Sequence, residues 1–147
     1  MRNIHYRKVA IFCTLLFAIM SNVYAAKTIT VSDGYVKASI PGSDVTASYM
    51  TLRNTSNKAI TLQKVSSTVS DRIEIHEHSM ADGMMRMRKV GEITIKANST
   101  VVLQPSGLHL MIFSLKQPIK EKSVMPLTLY FSNDTEVKIQ LPVLKYK

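Results

Sequence analysis

Turn chemistry punctuates this sequence, and no stretch beyond its N-terminal apolar run carries a convincing helical period. Asp33-Gly34, Pro41-Gly42, Asn54 to Asn57, Asp82-Gly83, Pro105 to Gly107 and Asn133-Asp134 all favour tight reversals. The segments between them are short, rich in β-branched side chains, and often alternate apolar with polar, which is the period of a strand. Strands are expected over Thr28–Val31, Tyr35–Ile40, Thr46–Leu52, Ala59–Val65, Arg72–His78 and Met84–Val90. Further strands are expected over Glu92–Ala97, Thr100–Leu103, Leu108–Leu115, Leu127–Phe131 and Glu136–Pro142. Many short strands joined by frequent turns predict an all-β sandwich or barrel. No repeat, linker or low-complexity segment divides the chain, so one domain is expected.

That domain is preceded by a different kind of segment. Arg2, Arg7 and Lys8 give a basic start, Val9 to Met20 is apolar and uncharged, and Val23-Tyr24-Ala25 ends in small residues. This is the layout of a secretory signal peptide, and the apolar run is short of the ~20 residues that a membrane span needs. Residues 1–25 are therefore read as a cleaved signal and 26–147 as the mature domain. The single cysteine, Cys13, has bulky neighbours in Ile11 and Phe12, without a lipid-attachment pattern, and leaves with the signal. The mature chain then has no thiolate ligand, disulfide or thiol redox chemistry. A soft metal in an oxidising compartment would have to be held by thioether sulfur instead. Of the net charge of +9, three come from Arg2, Arg7 and Lys8, and the remainder is dispersed without a basic run interleaved with aromatics. Nucleic acid is therefore not an expected partner.

Histidine and methionine are unevenly placed in the mature domain. All of its histidines, His76, His78 and His109, fall within one stretch together with Met80, Met84, Met85, Met87 and Met111. Methionine commonly fills irregular gaps in a core, and Met50 and Met125, inside apolar strands, are read that way. The clustered methionines alternate with charge. In Met85-Arg86-Met87-Arg88 a strand turns both Met to one face and both Arg to the other. In Leu108-His109-Leu110-Met111-Ile112 the same alternation sends Leu108, Leu110 and Ile112 to the core and His109 and Met111 to the opposite face, with Cβ atoms about 7 Å apart. Glu74, His76, His78 and Met80 likewise share one face, and Ile73 and Ile75 the other.

The spacing H-x10-M-x21-H-x-M, running through His76, Met87, His109 and Met111, resembles the signature of the periplasmic PCu(A)C family of copper chaperones. Glu74-Ile75-His76-Glu77, Asp82-Gly83-Met84-Met85-Arg86-Met87-Arg88, Gly107-Leu108-His109-Leu110-Met111, Pro41-Gly42 and Ala47-Ser48-Tyr49-Met50 resemble its segments, so the likeness covers almost the whole mature chain. The resemblance implies a cupredoxin-like Greek-key β fold and a periplasmic protein that holds one Cu(I). The ligands it implies are His76, Met87, His109 and Met111. It also implies delivery of copper to the Cu_A site of cytochrome c oxidase subunit II, directly or through an assembly factor. His78, Met80, Met84 and Met85 lie outside the motif and are candidates for an accessory site.

The donor types suit that cargo. Cu⁺ is a soft ion that accepts thioether sulfur and imidazole nitrogen with little demand for a strict geometry. A site without cysteine or carboxylate is poor for zinc. For hand-over, the site is expected near the surface, on loops and strand ends, with its side chains on a polar rim. No Ser-His-Asp arrangement, cysteine nucleophile or carboxylate pair stands out, so the protein is not expected to be an enzyme. A two-His, two-Met set also lacks the cysteine of a blue-copper centre. Periplasmic copper buffering or resistance, and a metal-free interaction sandwich, are the competing readings. A monomer is expected.

Overall fold

A computed structural model describes residues 28–81 and 83–145. The signal segment, Cys13 and Asp82 of the Asp82-Gly83 turn lie outside the described residues. Ten strands follow in order: β1 Ile29–Lys37, β2 Thr46–Asn54, β3 Ile60–Ser66, β4 Ser70–Ala81, β5 Met84–Val90, β6 Ile93–Ile95, β7 Thr100–Leu103, β8 Leu108–Leu115, β9 Val124–Phe131 and β10 Glu136–Leu144. No helix occurs among the described residues. The strands run in the order β5-β4-β8-β2-β1-β10-β9-β3-β6, with β7 paired to β2 beyond β8. All pairings are antiparallel except β1 with β10, which are parallel at Val36↔Val143 and Lys37↔Leu144. That parallel join links the β5-β4-β8-β2-β1 half to the β10-β9-β3-β6 half, and the two fold over one another as a cupredoxin-like Greek-key sandwich.

The core lies between the halves. Met50, Leu52, Leu110 and Ile112 from one side meet Leu62, Ile95, Leu127 and Leu129 from the other, all fully buried. Met50 and Met125 are buried among these apolar side chains, as their sequence setting predicts. Strand alternation makes this layer, because the pleat turns Met50 and Leu52 of β2, Leu110 and Ile112 of β8, and Met125, Leu127 and Leu129 of β9 to the same side of their strands.

The two strands expected before and after Asp33-Gly34 form one strand. The register of β1 on β2 shifts between Ser32 and Tyr35, and Asp33 has φ 52°. The pair is a bulge and not a reversal, since β2 runs past it unbroken and one residue in the left-handed region absorbs the extra length. Gly34 packs tightly here: a Cβ there would sit 2.5 Å from Leu141 Cδ2 and push that side chain aside.

The β4–β5 hairpin outruns the core. Ile75↔Val90 is the last rung with apolar side chains facing inward, and Glu77↔Arg88 and Ser79↔Arg86 follow on the same face. Glu77 binds the Arg88 guanidinium at 2.7 Å. Met84 to Lys89 are exposed throughout. The far half of this hairpin therefore has water on its polar face, and the composition of its other face is not explained by packing.

Candidate metal centre

The faces predicted by alternation are those observed. In β4 on β8, His76 pairs with His109 and Glu74 with Met111; in β4 on β5, His78 pairs with Met87, His76 with Lys89 and Met80 with Met85. Directly paired residues of antiparallel strands project to the same face. The sheet therefore carries on one face, opposite the core, His76, His78, His109, Met80, Met85, Met87 and Met111. Ala47 and Tyr49 continue it on β2, where Ala47 pairs with Met111, and Tyr35 on β1 pairs with Tyr49.

Of the four motif residues, His76 and His109 are direct partners, with ring centroids 6.1 Å apart. Met111 lies one same-face step to one side of that rung, opposite Glu74, and Met87 one step to the other side, opposite His78. The fold thus gathers all four within three adjacent rungs of three adjacent strands. Met87 faces His78 directly and His76 only diagonally. The His78 ring lies 4.9 Å from that of His109, nearer than His76 does. Sequence reading left His78 at the margin, although the alternation Glu74-x-His76-x-His78-x-Met80 already puts it on this face.

Two expectations about the setting are corrected. The donors stand on strands and not on loops, because pairing across β5, β4 and β8 is what brings separated sequence positions together. The rim expectation fails for His109, which is only 3 % exposed. Tyr49, itself buried, lies with its ring 6.3 Å from that of His109, and the His76 and His78 rings flank it. The outer face of this sheet is thus covered by its own aromatic side chains. Met87, by contrast, is 50 % exposed.

Hydrogen bonding selects which ring nitrogens are free. The Gly107 carbonyl can only accept, so at 2.9 Å it takes the Nδ1–H of His109 and leaves the Nε2 lone pair available. The same carbonyl accepts from the His78 backbone N–H at 3.2 Å, which ties the start of β8 to β4. The Glu74 carboxylate takes the Nε2–H of His76 at 2.9 Å and binds Lys89 Nζ at 3.1 Å. His76 is left with a lone pair on Nδ1, a buried atom without a hydrogen-bond partner; His78 Nδ1 is in the same position. Buried polar atoms without partners are rare in folded proteins, which sets these two nitrogens apart.

Charge state follows from the same contacts. The hydrogen bond from His76, helped by Lys89, holds the Glu74 carboxyl below the usual carboxylate range. Burial pushes His109 below its ordinary value, against the Gly107 carbonyl bond that raises it, and the neighbouring His78 and His76 push it the same way as burial. A neutral imidazole with an open nitrogen is the form that binds a metal. A carboxylate behind a ligating imidazole orients the ring and increases its basicity. Among the described residues no three side chains of His, Cys, Asp or Glu converge to hold a metal. The imidazole and thioether donors on this face fit a soft ion.

Together these features define a cupredoxin-like β domain with clustered imidazoles and thioethers on the outer face of one sheet. The chain belongs to the LpqE-like family, whose profile, described as “Putative lipoprotein LpqE-like”, matches residues 29–143. It is 29% identical over 119 residues to “Putative lipoprotein Lxx21020” of Leifsonia xyli subsp. xyli, covering 80% of this chain and 70% of that protein. Its fold is that of the PCuAC domains. It superposes on the copper-bound PCuAC domain from PmoF2 with a TM-score of 0.71 at 20% identity, over 84% of this chain and 97% of that one. The solution structure of the CuI form of DR1885 from Deinococcus radiodurans matches with a TM-score of 0.64 at 27% identity, over 86% of this chain and 85% of that one.

Proposed function

We propose that this protein is an exported copper chaperone that holds one Cu⁺ with His76, Met87, His109 and Met111 and passes it to an acceptor protein. The observation that carries the reading is the buried, unpartnered Nδ1 of His76 on one sheet face with His109, Met87 and Met111. The CuI form of DR1885, a fold relative, supports the choice of metal and of oxidation state. The lipoprotein name of the relative from Leifsonia, together with the signal-like residues 1–25, supports export, and the periplasm is the compartment proposed.

The chemistry follows from the residues. Imidazole and thioether are neutral donors, so the ion keeps its charge and sulfur softness favours Cu⁺. His109 offers Nε2 and His76 offers Nδ1, each fixed by the bond its other nitrogen makes. Met87 is the most exposed of the four, which makes it the first donor that an approaching acceptor can replace. Release is then a stepwise exchange of ligands that needs no unfolding. The role is binding and transfer, without catalysis. The Cu_A site of cytochrome c oxidase subunit II is the proposed destination, since a site of Cys and His outcompetes thioethers for Cu⁺.

Two measurements test this. Titration of the mature protein with Cu⁺ against a chromophoric Cu⁺ chelator, under reducing conditions, is expected to give one tight equivalent and much weaker Zn²⁺ binding. Zinc held as tightly as Cu⁺ would overturn the donor set. Mixing the Cu⁺-loaded protein with the apo soluble domain of subunit II is expected to load the Cu_A site. A deletion strain that keeps full oxidase activity but loses copper tolerance would move the role to copper buffering.

A further inference from the structure

The structure leaves three soft-metal donors of the same face outside the four-ligand set, and they form a group of their own. Met80 and Met85 are direct cross-strand partners on the overhanging part of the β4–β5 hairpin. Their side chains are 67 % and 62 % exposed, so neither fills a core. Cβ atoms of directly opposed residues lie about 5 Å apart, within reach for two long thioether side chains to meet on one ion. His78 precedes Met80 by two residues on the same face, about 7 Å back along the strand. Its Nδ1 is one of the two buried nitrogens without a partner. Met84 does not belong to the group, because as the strand neighbour of Met85 it projects to the opposite face.

We propose that His78, Met80 and Met85 form a second Cu⁺ station, weaker and more exposed than the first, through which the ion enters and leaves. The inference rests on the copper-holding reading above and extends it by a site and a route. His78 links the two stations. Its ring lies 4.9 Å from that of His109, and it faces Met87 across the β4–β5 ladder. An ion can therefore move along the sheet by releasing His76, His109 and Met111 and taking up Met80 and Met85, with His78 and Met87 as the bridging donors between them. Three neutral donors on a solvent-facing hairpin hold Cu⁺ more loosely than four on a partly covered sheet, which gives the route its direction towards the inner site.

The test is a Cu⁺ titration of the mature protein carrying ¹³C-methyl methionine, under reducing conditions and followed by NMR. The first equivalent is expected to shift the methyls of Met87 and Met111. The second is expected to shift those of Met80 and Met85 and to leave Met84 in place. Chelator competition is expected to show a second, weaker equivalent beside the tight one, and the Met80→Leu/Met85→Leu double variant is expected to lose it with the first affinity unchanged. His78→Gln is expected to weaken the second equivalent and to slow exchange of Cu⁺ with the chelator. The proposal is overturned if Met80 and Met85 never shift, or if the second equivalent survives in the double variant. Failure of the four-ligand site reads differently: Met87 and Met111 stay unshifted while Met80 and Met85 respond.

Discussion

His109 and Met87 are both proposed ligands, yet they stand in opposite environments. His109 is buried and its Nδ1–H bonds the Gly107 carbonyl, whereas Met87 is half exposed on an edge strand. His109→Ala is therefore expected to lose Cu⁺ affinity and also to cost the apo fold about 0.5–3 kcal/mol, since it empties a buried position beside Tyr49 and removes a hydrogen bond to Gly107. Met87→Ala is expected to lose Cu⁺ affinity while changing apo stability by about 0.5 kcal/mol or less. Chelator competition and urea unfolding of both variants check the pair. Burial also sets the titration of His109. Because its folded value lies below 6.5, the unfolded chain binds the proton more readily, so acid favours unfolding. Its contribution is intact above about pH 6.5 and is lost as the pH falls through the lowered value. An imidazole NMR titration of the apo protein is expected to place His109 below 6.5, the ordinary value from which burial displaces it.

At the scale of the element, the β4–β5 hairpin and β8 set the proposed ligands apart from the residues that hold the fold. Leu110 is fully buried on the core face of β8, next to His109 and Met111 on the other. Leu110→Ala is expected to cost about 2–5 kcal/mol, read as a lower unfolding midpoint. The hairpin methionines are exposed and oxidisable. Mild peroxide is expected to convert Met80, Met84, Met85 and Met87 to sulfoxides before Met50 and Met125, as mapped by peptide mass spectrometry. Cu⁺ binding should fall in step with oxidation of Met87, while the far-ultraviolet circular dichroism of the sheet stays native. The other end of β2 is held by a different device. Asn54 is fully buried, donates to the Lys58 and Ile95 carbonyls at 2.7 and 3.1 Å, and accepts from the Ser56 N–H and hydroxyl. This side chain joins β2 to β6 through the intervening loop, far from the metal face.

For the molecule as a whole, the two halves of the sandwich share one core, and the proposed cargo bears on only one of them. A ligand that binds the native state and not the unfolded chain stabilises the former by mass action, by about 2.7 kcal/mol at a free concentration a hundredfold above Kd. Saturating Cu⁺ is therefore expected to raise the Tm of the mature protein, and equimolar Zn²⁺ to leave it almost unmoved. Differential scanning calorimetry under reducing conditions reads both. The gain should vanish in the Met87→Ala/Met111→Ala double variant. Neither side chain is among the buried core residues, so that variant remains folded.

Local pattern was enough for the all-β architecture, the placement of Met50 and Met125 in packing, and the division of β4, β5 and β8 into a core face and a His–Met face. The pleat turns alternate side chains to opposite sides whatever the strand pairs with, so this much is a property of each segment alone. Which strands are neighbours is not local. That His78 stands opposite Met87, that Glu74 takes the Nε2–H of His76, and that Tyr49 shields His109 all depend on pairing between segments far apart in the chain. Burial of His109 depends on it as well, since side chains from β2 and β4 flank its ring. The Asp33-Gly34 pair shows the same limit in the backbone: its residues favour a reversal, but an unbroken partner strand and the close approach of Leu141 hold it as a bulge.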